Sequence, residues 1–381
     1  MYIKPLIKYS LTVVLLFSLQ LSAQNNYVPK FKKSSIYSGI EVGSKGVKMS
    51  VLEIDEDSKE NSEYNVLKDT SINTDFISFT QPTYQATLAA LNKLYEIASK
   101  DYKIPVSRIF TAVSSGVNIQ AEKENKKNWI EQLISAFKFN YNEADRKVTV
   151  IDVVEEARLS HLGIVPDARR YNTFLIDIGS GNTKGGYFPN GNTNDFKLFQ
   201  LSWGTKSTAN ATEKRANGDN SLDTYDKNLG RVLTGAENTE IIYSVNQSGS
   251  YSLSDNVAFS GGIAWALATL MYPELNENAV VPVSYDEVLK FSDKILADYS
   301  TLSDYYIVKT LTDNTLDVES IARTVKTVNK VFDQRALMAG TGLMLKIMRQ
   351  FESVNERKNF YLVKNGAVGW ITAYVNQTTA K

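Results

Sequence analysis

Two short stretches of the sequence carry the same arrangement of a carboxylate, a glycine, a hydroxyl and a lysine. The first, from Gly39 to Lys48, reads GIEVGSKGVK, and the second, from Leu175 to Lys184, reads LIDIGSGNTK. In each, an acid is followed after one apolar residue by Gly-Ser, and a lysine stands four positions beyond the serine. Glycine lets a backbone approach a ligand closely, and successive N–H groups in such a turn form an anion-binding nest. The pattern predicts a pair of phosphate-binding turns.

The predicted phosphate contacts come from backbone amides, hydroxyls, one amide side chain and two lysines. They are Gly43, Ser44 and Lys48 in the first turn, and Gly179, Ser180, Gly181, Asn182, Thr183 and Lys184 in the second. The acids Glu41 and Asp177 suit a hydrated Mg²⁺, which prefers one or two carboxylates together with phosphate oxygens. The alternative for either turn alone is an ordinary β-hairpin, and the occurrence of two matching turns favours phosphate binding.

The residue inventory limits the chemistry that these turns could serve. The chain of 381 residues has no cysteine, a single histidine (His161), and 42 basic and 42 acidic residues. These counts exclude disulfides, thiolate nucleophiles, thiolate zinc sites and histidine-cluster metal sites. The balanced charge argues against a polymeric nucleic acid as the partner, because such binders need a basic surface. Chemistry is therefore expected from carboxylates, hydroxyls, basic side chains and backbone amides.

The N-terminal segment 1–23 has the pattern of a secretory signal peptide. Lys4 and Lys8 precede the mostly apolar run from Leu11 to Leu21, and Ala23 stands before the predicted cleavage point. The apolar run is too short for a transmembrane helix, which needs about 20 residues. A polar linker follows at 24–34. We expect export to the periplasm or the medium, with no stable membrane span after cleavage.

The two turns each open a block of mixed strand and helix patterns, which predicts an α/β protein of two domains, 35–171 and 172–381. In the first block, the spacing of apolar residues predicts helices from Thr83 to Ser99, from Ala121 to Phe137 and from Glu155 to Leu162. In the second block, the polar stretch 208–255 is predicted to be irregular or an insertion. The repeated start of the blocks indicates duplicated domains that face a shared cleft.

The paired turns resemble the two phosphate-binding motifs of the sugar kinase–actin–heat-shock chaperone superfamily of ATPases. Within it, the chain resembles the exopolyphosphatase / guanosine pentaphosphate phosphohydrolase family. Five further stretches, in the order and spacing of that family, carry the narrower resemblance: TAVSSGV at 111–117, VEEARL at 154–159, LSWG at 201–204, FSGG at 259–262 and RALMAG at 335–340.

This resemblance implies two actin-like ATPase (ribonuclease H-like) domains flanking a cleft, Mg²⁺ as cofactor, and hydrolysis of a terminal phosphoanhydride of polyphosphate or a nucleotide. Glu156 stands at the family's glutamate that acts as general base on the attacking water. A carboxylate on a helix beside a phosphate site is suited to orient or deprotonate water. Gly261 lies where the family has S-G-T, and it is assigned to phosphate binding by the same resemblance.

Several positions depart from the family pattern. Lys184 replaces the acid that ends the family's second turn, Gly262 replaces the threonine of S-G-T, and Glu41 stands where the superfamily usually has aspartate. A lysine at 184 either neutralises phosphate charge or displaces the metal. Two functions therefore stay open: an exported Mg²⁺-dependent phosphoanhydride hydrolase, or a catalytically impaired phosphate-binding, nucleotide-binding or scaffold protein of the same fold. Homodimerisation also stays open.

Overall fold

The computed structural model describes residues 29–56, 64–249, 254–352, 357–364 and 369–379. The predicted signal peptide and positions 24–28 of the predicted linker lie outside these residues. Among the described helices, none combines the length and the apolar character that crossing a membrane requires.

The first sheet contains five strands. They are β1 (Ser34–Val42), β2 (Gly46–Asp55), β3 (Tyr64–Asn73), β4 (Ile109–Val113) and β5 (Val148–Val150). Their spatial order is β3-β2-β1-β4-β5. The first three strands form an antiparallel meander, and β4 and then β5 continue the sheet in parallel on the other side of β1.

The second sheet contains six strands. They are β6 (Thr173–Ile178), β7 (Thr183–Tyr187), β8 (Lys197–Leu201), β9 (Asn256–Ser260), β10 (Val280–Val283) and β11 (Asn359–Val363). Their order is β10-β11-β9-β6-β7-β8. Again the first three strands form an antiparallel meander, while β9 and then β11 add in parallel on the far side of β6. The two sheets therefore share one plan, as the sequence repeat predicts.

Four helices accompany the first sheet: α1 (Gln81–Glu96), α2 (Ser115–Lys123), α3 (Lys127–Asn140) and α4 (Val153–Ile164). The start of α4 is fixed by Asp152, whose Oδ1 accepts a hydrogen bond from the Glu155 N–H at 2.9 Å. One side of α1, and of the π-helix Ile97–Asp101 that continues it, packs in the core of this sheet through apolar residues at helical spacing, among them Leu91, Leu94 and Ala98.

Within the described part of the chain, eight helices accompany the second sheet. They are α5 (Thr205–Ala216), α6 (Leu222–Ala236), α7 (Ile242–Ser248), α8 (Gly262–Met271), α9 (Tyr285–Ala297), α10 (Asp304–Thr310), α11 (Val318–Val331) and α12 (Gln334–Glu352). They pack around a second, larger apolar core that includes Phe174, Ile176 and Ile178 of the central strand β6.

The last helix, α13 (Gly369–Thr379), returns from the second sheet to the first. Its Trp370 and Ile371 pack against Ala112, Ile151 and Leu159, so that α13 covers β4 and α4. The domain boundary between 171 and 172 stays a prediction. Helix α13 comes after this boundary in the sequence, whereas β4 and α4, which it covers, come before it.

The stretch 208–255 is not irregular where the structure describes it, which corrects the sequence interpretation. Residues 205–216, 222–236 and 242–248 form α5, α6 and α7, and a short π-helix at Glu237–Ile241 joins α6 to α7. Most residues of this stretch are polar, but each turn of α6 still places apolar side chains on one buried face, which includes Tyr225, Leu229, Val232, Leu233 and Ala236.

The predicted helix from Ala121 to Phe137 is divided into α2 and α3, because Asn125 adopts a left-handed conformation with φ of 56°. The strands β3 and β10 and the helix α13 were not predicted. Strand β3 pairs with β2 but alternates exposed and half-buried residues, so it lacks the apolar run by which a buried strand is recognised.

Candidate active site

The two predicted phosphate turns are β-hairpins that place their acids and lysines in the same register. Glu41 of β1 lies opposite Lys48 of β2, and Asp177 of β6 lies opposite Lys184 of β7. The Gly43 N–H donates to the Gly46 carbonyl at 2.9 Å, and the Gly179 N–H donates to the Asn182 carbonyl at 3.0 Å. The repeated spacing of acid and lysine therefore produces a repeated cross-strand pair.

The two turns converge at the N-terminus of α2. A Cβ atom at Gly116 would lie 3.2 Å from Ser44 Oγ of the first turn and 3.7 Å from Asn182 Oδ1 of the second. The first N–H groups of a helix have no acceptor within the helix, and the helix dipole favours an anion there. Ser44, Gly116, Ser180 and Asn182 are all half-buried. Two hairpin turns and one helix terminus thus surround a single point suited to an anion.

Helix α5 anchors the second turn from behind. The Thr205 N–H donates to the Gly179 carbonyl at 3.0 Å, and the Lys206 N–H donates to the Ser180 carbonyl at 2.8 Å. A Cβ at Gly204 would lie 2.6 Å from the Gly179 oxygen, so only glycine allows this approach. The start of α5, directly after the LSWG stretch, therefore holds the second turn in place.

A buried ion-pair network lies beneath the turns. Lys184 Nζ lies 2.9 Å from Glu156 Oε1 and 3.5 Å from Asp177 Oδ2. The other oxygen of Glu156, Oε2, accepts a hydrogen bond of 2.6 Å from the Ser115 N–H at the start of α2. Glu156 is 1% exposed and Lys184 is 7% exposed. Both oxygens of the predicted base are therefore bonded within the protein.

Electrostatics keep both members of the Lys184–Glu156 pair charged. Burial by itself raises the pKa of Glu156, but the Lys184 ammonium and the Ser115 N–H lower that pKa below its ordinary value. Burial likewise opposes the charged form of Lys184, but Glu156 and Asp177 hold the pKa of its ammonium above the ordinary value. At neutral pH the site contains a carboxylate paired with an ammonium.

Asp177 owes its position to the strand beside it. Ser260 Oγ donates to Asp177 Oδ1 at 3.3 Å. Gly261 has a φ of 91°, and a Cβ there would lie 2.7 Å from Asp177 Oδ1. Glycine is required at 261 both for this backbone conformation and for the close approach of the acid. In the structure, then, Gly261 positions Asp177.

Glu41 has a different environment from Asp177. Its side chain is 6% exposed, and its Oε2 accepts a hydrogen bond of 3.0 Å from the indole Nε1 of Trp370 on α13. Burial raises the pKa of Glu41 even though Lys48 stands opposite. The first acid is therefore buried against Trp370, in surroundings that penalise its charged form.

These side chains do not fit the magnesium site that the sequence predicts from Glu41 and Asp177. One of the two charges of Asp177 and Glu156 is instead balanced by the Lys184 ammonium, which lies between the two carboxylates. The cation among these carboxylates belongs to the protein itself.

Three other polar residues, two of them predicted phosphate contacts, lie on the strands and the helix around the turns. The Thr183 hydroxyl is fully buried and donates to the Trp203 carbonyl at 2.7 Å, which turns it away from the predicted phosphate contacts. Lys48 is half-buried on β2 and faces Glu41. His161 is fully buried, and its Nε2 donates to the Thr173 carbonyl at 3.0 Å. Burial lowers the pKa of His161 to about 4, which fits a structural role.

Sequence reasoning did not assign site roles to Ser115, Gly116 and Trp370. Ser115 and Gly116 lie at the junction between β4 and α2, and a strand followed directly by Ser-Ser-Gly was the available signal. Trp370 comes from a helix 329 positions along the chain from Glu41, and no local pattern indicates that contact.

No family model and no curated protein matches the sequence. Solved structures do match. A Ppx/GppA family protein of Aquifex aeolicus is 14% identical, with a TM-score of 0.61 over 91% of this chain and 98% of its own. An exopolyphosphatase of Cytophaga hutchinsonii is 13% identical, with a TM-score of 0.53 over 89% of this chain and 98% of its own. An exopolyphosphatase-like protein is also 13% identical, with a TM-score of 0.57 over 90% and 100% of the two chains.

These matches cover nearly the whole of each chain, so the likeness extends to the arrangement of both sheets. At this level of identity the likeness shows the fold. The predicted α/β architecture of two actin-like domains, and the resemblance to exopolyphosphatase and guanosine pentaphosphate phosphohydrolase structures, are confirmed.

Proposed function

We propose that the protein is a phosphoanhydride hydrolase of the exopolyphosphatase kind that binds polyphosphate or the phosphates of a nucleotide between its two hairpin turns. The observation that carries the proposal is the convergence of Ser44 and Asn182, one from each hairpin, on Gly116 at the N-terminus of α2. Backbone amides of two turns and a helix terminus are a typical environment for phosphate oxygens. The fold shared with the exopolyphosphatase structures supports the same conclusion.

In this proposal Glu156 orients the attacking water. Phosphoryl transfer passes through a loose transition state, so positioning and charge stabilisation matter more than the strength of the base. A carboxylate of lowered pKa can accept a hydrogen bond from water without removing its proton early. The water must reach Glu156 by replacing one of its two present partners, the Ser115 N–H or the Lys184 ammonium.

In this proposal Lys184 is the cation beside the predicted base, and it offsets one of the two carboxylate charges of Glu156 and Asp177. Its ammonium is buried, so its field is weakened less by solvent than that of a surface lysine. We therefore expect phosphate release to continue in excess chelator, with sodium tripolyphosphate as the substrate. Loss of all release on chelation would instead restore the magnesium requirement that the family resemblance implies.

The test of the hydrolase is phosphate release from polyphosphate, ATP and a guanosine polyphosphate, with Glu156→Gln and Glu155→Gln compared side by side. Glu155 is the neighbouring residue on α4, and it pairs with Arg158 at 2.7 Å outside the network. We expect Glu156→Gln to abolish release and Glu155→Gln to retain it. Equal release by the wild type and both variants would mean that Glu156 has no part in the reaction.

One observation favours a second candidate, a phosphate-binding protein without turnover. Both oxygens of Glu156 are bonded inside the protein, and the residue is 1% exposed. This candidate predicts saturable binding of tripolyphosphate by calorimetry and no phosphate release by the wild type. The absence of both binding and release would exclude both candidates.

Export is a separate part of the proposal, and it is supported by the signal pattern at 1–23. Fractionation of cells expressing the full chain is expected to place the protein outside the cytoplasm. Sequencing of its N-terminus is expected to begin at Gln24. Recovery of the intact chain, with Met1, from the cytoplasm would exclude export.

A further inference from the structure

An ion-paired carboxylate lies between the two halves of the molecule, beside the turns. Asp75 follows β3 of the first sheet, and its Oδ1 bonds Lys45 Nζ from the β1–β2 turn. The same Oδ1 lies 3.5 Å from Lys206 Nζ, which belongs to α5 beside the second sheet. One aspartate oxygen therefore holds two ammonium groups from opposite halves.

Both lysines extend from the backbone of the proposed phosphate site. Lys45 directly follows Ser44 in the first turn, and its carbonyl accepts the Thr74 N–H at 2.9 Å. Lys206 lies in the first turn of α5, and its N–H binds the Ser180 carbonyl of the second turn at 2.8 Å. The two side chains thus share the scaffold of the two hairpin turns.

Unlike the Lys184 network, this cluster is accessible to solvent. The side chains of Lys45, Asp75 and Lys206 are 32%, 39% and 46% exposed. Two ammonium groups and one carboxylate leave one net positive charge beside the turns. An ion pair at this exposure contributes little to stability, so a multiply charged anion can displace the carboxylate.

We infer that Lys45 and Lys206 form a second phosphate subsite, bridging the two halves of the molecule, and that Asp75 occupies this subsite when no ligand is bound. The ligand class is a chain of linked phosphates long enough to extend from the turns to these lysines. This inference rests on the proposed function. In this subsite Lys45 and Lys206 bind the phosphate chain. Asp75 competes with that chain for the two lysines.

The test is calorimetric titration with a tripolyphosphate analogue in which methylene groups replace the bridging oxygens, so that turnover cannot consume it. Asp75→Asn keeps the shape of the side chain and suits its left-handed backbone, with φ of 55°, because asparagine tolerates that conformation. We expect Asp75→Asn to lower the Kd by roughly three- to tenfold, because it removes a competing charge. Adding Lys206→Gln to Asp75→Asn is expected to abolish this gain.

The matched control is Glu122→Gln. Glu122 also forms an exposed pair with a lysine, Lys127, at 2.7 Å, and the control removes the same charge from the protein. We expect the control to leave the Kd unchanged.

An unchanged or weaker affinity in Asp75→Asn, while the wild type binds the analogue, overturns the second subsite and leaves the proposed function standing. A gain equal to that of Glu122→Gln also overturns the subsite, since it would reflect net charge alone. Failure of every protein to bind the analogue overturns the proposed function together with this inference.

Discussion

The two hairpins have the same register, but their acids have different partners. In the first, the acid Glu41 is buried against the Trp370 indole and its pKa is raised. In the second, Asp177 shares the Lys184 ammonium with Glu156, and the pKa of that ammonium is raised. The first pair faces the C-terminal helix, whereas the second faces the predicted base.

This difference shows that the repeated motif specifies a local shape and leaves the chemistry to its surroundings. The spacing of seven residues between acid and lysine fixes a cross-strand pair in both hairpins. What each pair contacts is decided by distant elements, α13 in one case and α4 in the other. The predictions below separate a mainly structural first hairpin from a charged second one.

The largest expected effect is that of Lys184→Met. Removing the ammonium leaves Glu156 and Asp177 in a buried site without their cation, and breaking a buried pair in this way costs about 3–5 kcal/mol. The measurement is the free energy of unfolding from urea titration. Lys48→Met is the matched variant in the first hairpin, where the half-buried lysine is expected to cost about 1 kcal/mol or less. Equal losses in the two variants would contradict the contrast.

The next effect concerns stability at acid pH. It arises from His161 of α4, which contacts the first strand of the second hairpin. This histidine bonds the Thr173 carbonyl at the start of β6, and burial lowers its pKa to about 4. The unfolded chain, with a histidine pKa of about 6.5, takes up the proton first as the pH falls. The contribution of the neutral His161 to the free energy of unfolding is therefore full above pH 6.5. This contribution falls by about 3 kcal/mol as the pH drops towards 4.

The pH effect is checked by urea unfolding of the wild type and His161→Gln between pH 7 and pH 4.5. The variant is expected to be less stable at neutral pH, because a buried ring is removed, but to lose less stability with falling pH. Parallel profiles for the two proteins would mean that His161 does not titrate as its burial requires.

Much of the fold could be predicted from residues that recur. The acids, Gly-Ser pairs and lysines of the two stretches indicated two similar hairpins, and the sheets confirm that repeat. The irregular structure predicted for 208–255 was wrong, and in α5 the reason is that Thr208 and Thr212 are buried in place of large apolar residues. Apolar periodicity does not detect a helix whose buried face is built from threonine and alanine.

The candidate site could be predicted only as far as local spacing reaches. The sequence identified Glu156, Asp177 and Lys184 separately and raised the replacement of a metal as one meaning of the lysine. It did not show that Lys184 lies 2.9 Å from Glu156, because that contact depends on how α4 packs against β7. The contacts of Asp75 with Lys206 and of Trp370 with Glu41 likewise join elements far apart in the chain.

A smaller effect is expected from Trp370→Phe, which tests the anchor of the first hairpin. The change removes the indole donor while retaining an aromatic ring, and it leaves Glu41 Oε2 buried without that partner. A lost bond to a buried acceptor costs about 1–2 kcal/mol. Urea unfolding measures the loss, and Trp203→Phe offers a control at a half-buried tryptophan of the second half. A loss no greater than that of the control would show that the indole bond is unimportant.

The smallest effect is expected from Glu41→Gln. Burial raises the pKa of Glu41 and so penalises its charge, and a glutamine amide oxygen can accept the same Trp370 bond. The substitution is therefore expected to change the free energy of unfolding at pH 7 by less than about 1 kcal/mol. Asp177→Asn is expected to cost more, since Lys184 then keeps only one of its two carboxylate partners while remaining buried. If Glu41→Gln proves the more costly change, the charge that matters lies in the first hairpin, and the assignment of structural and electrostatic roles to the two turns is reversed.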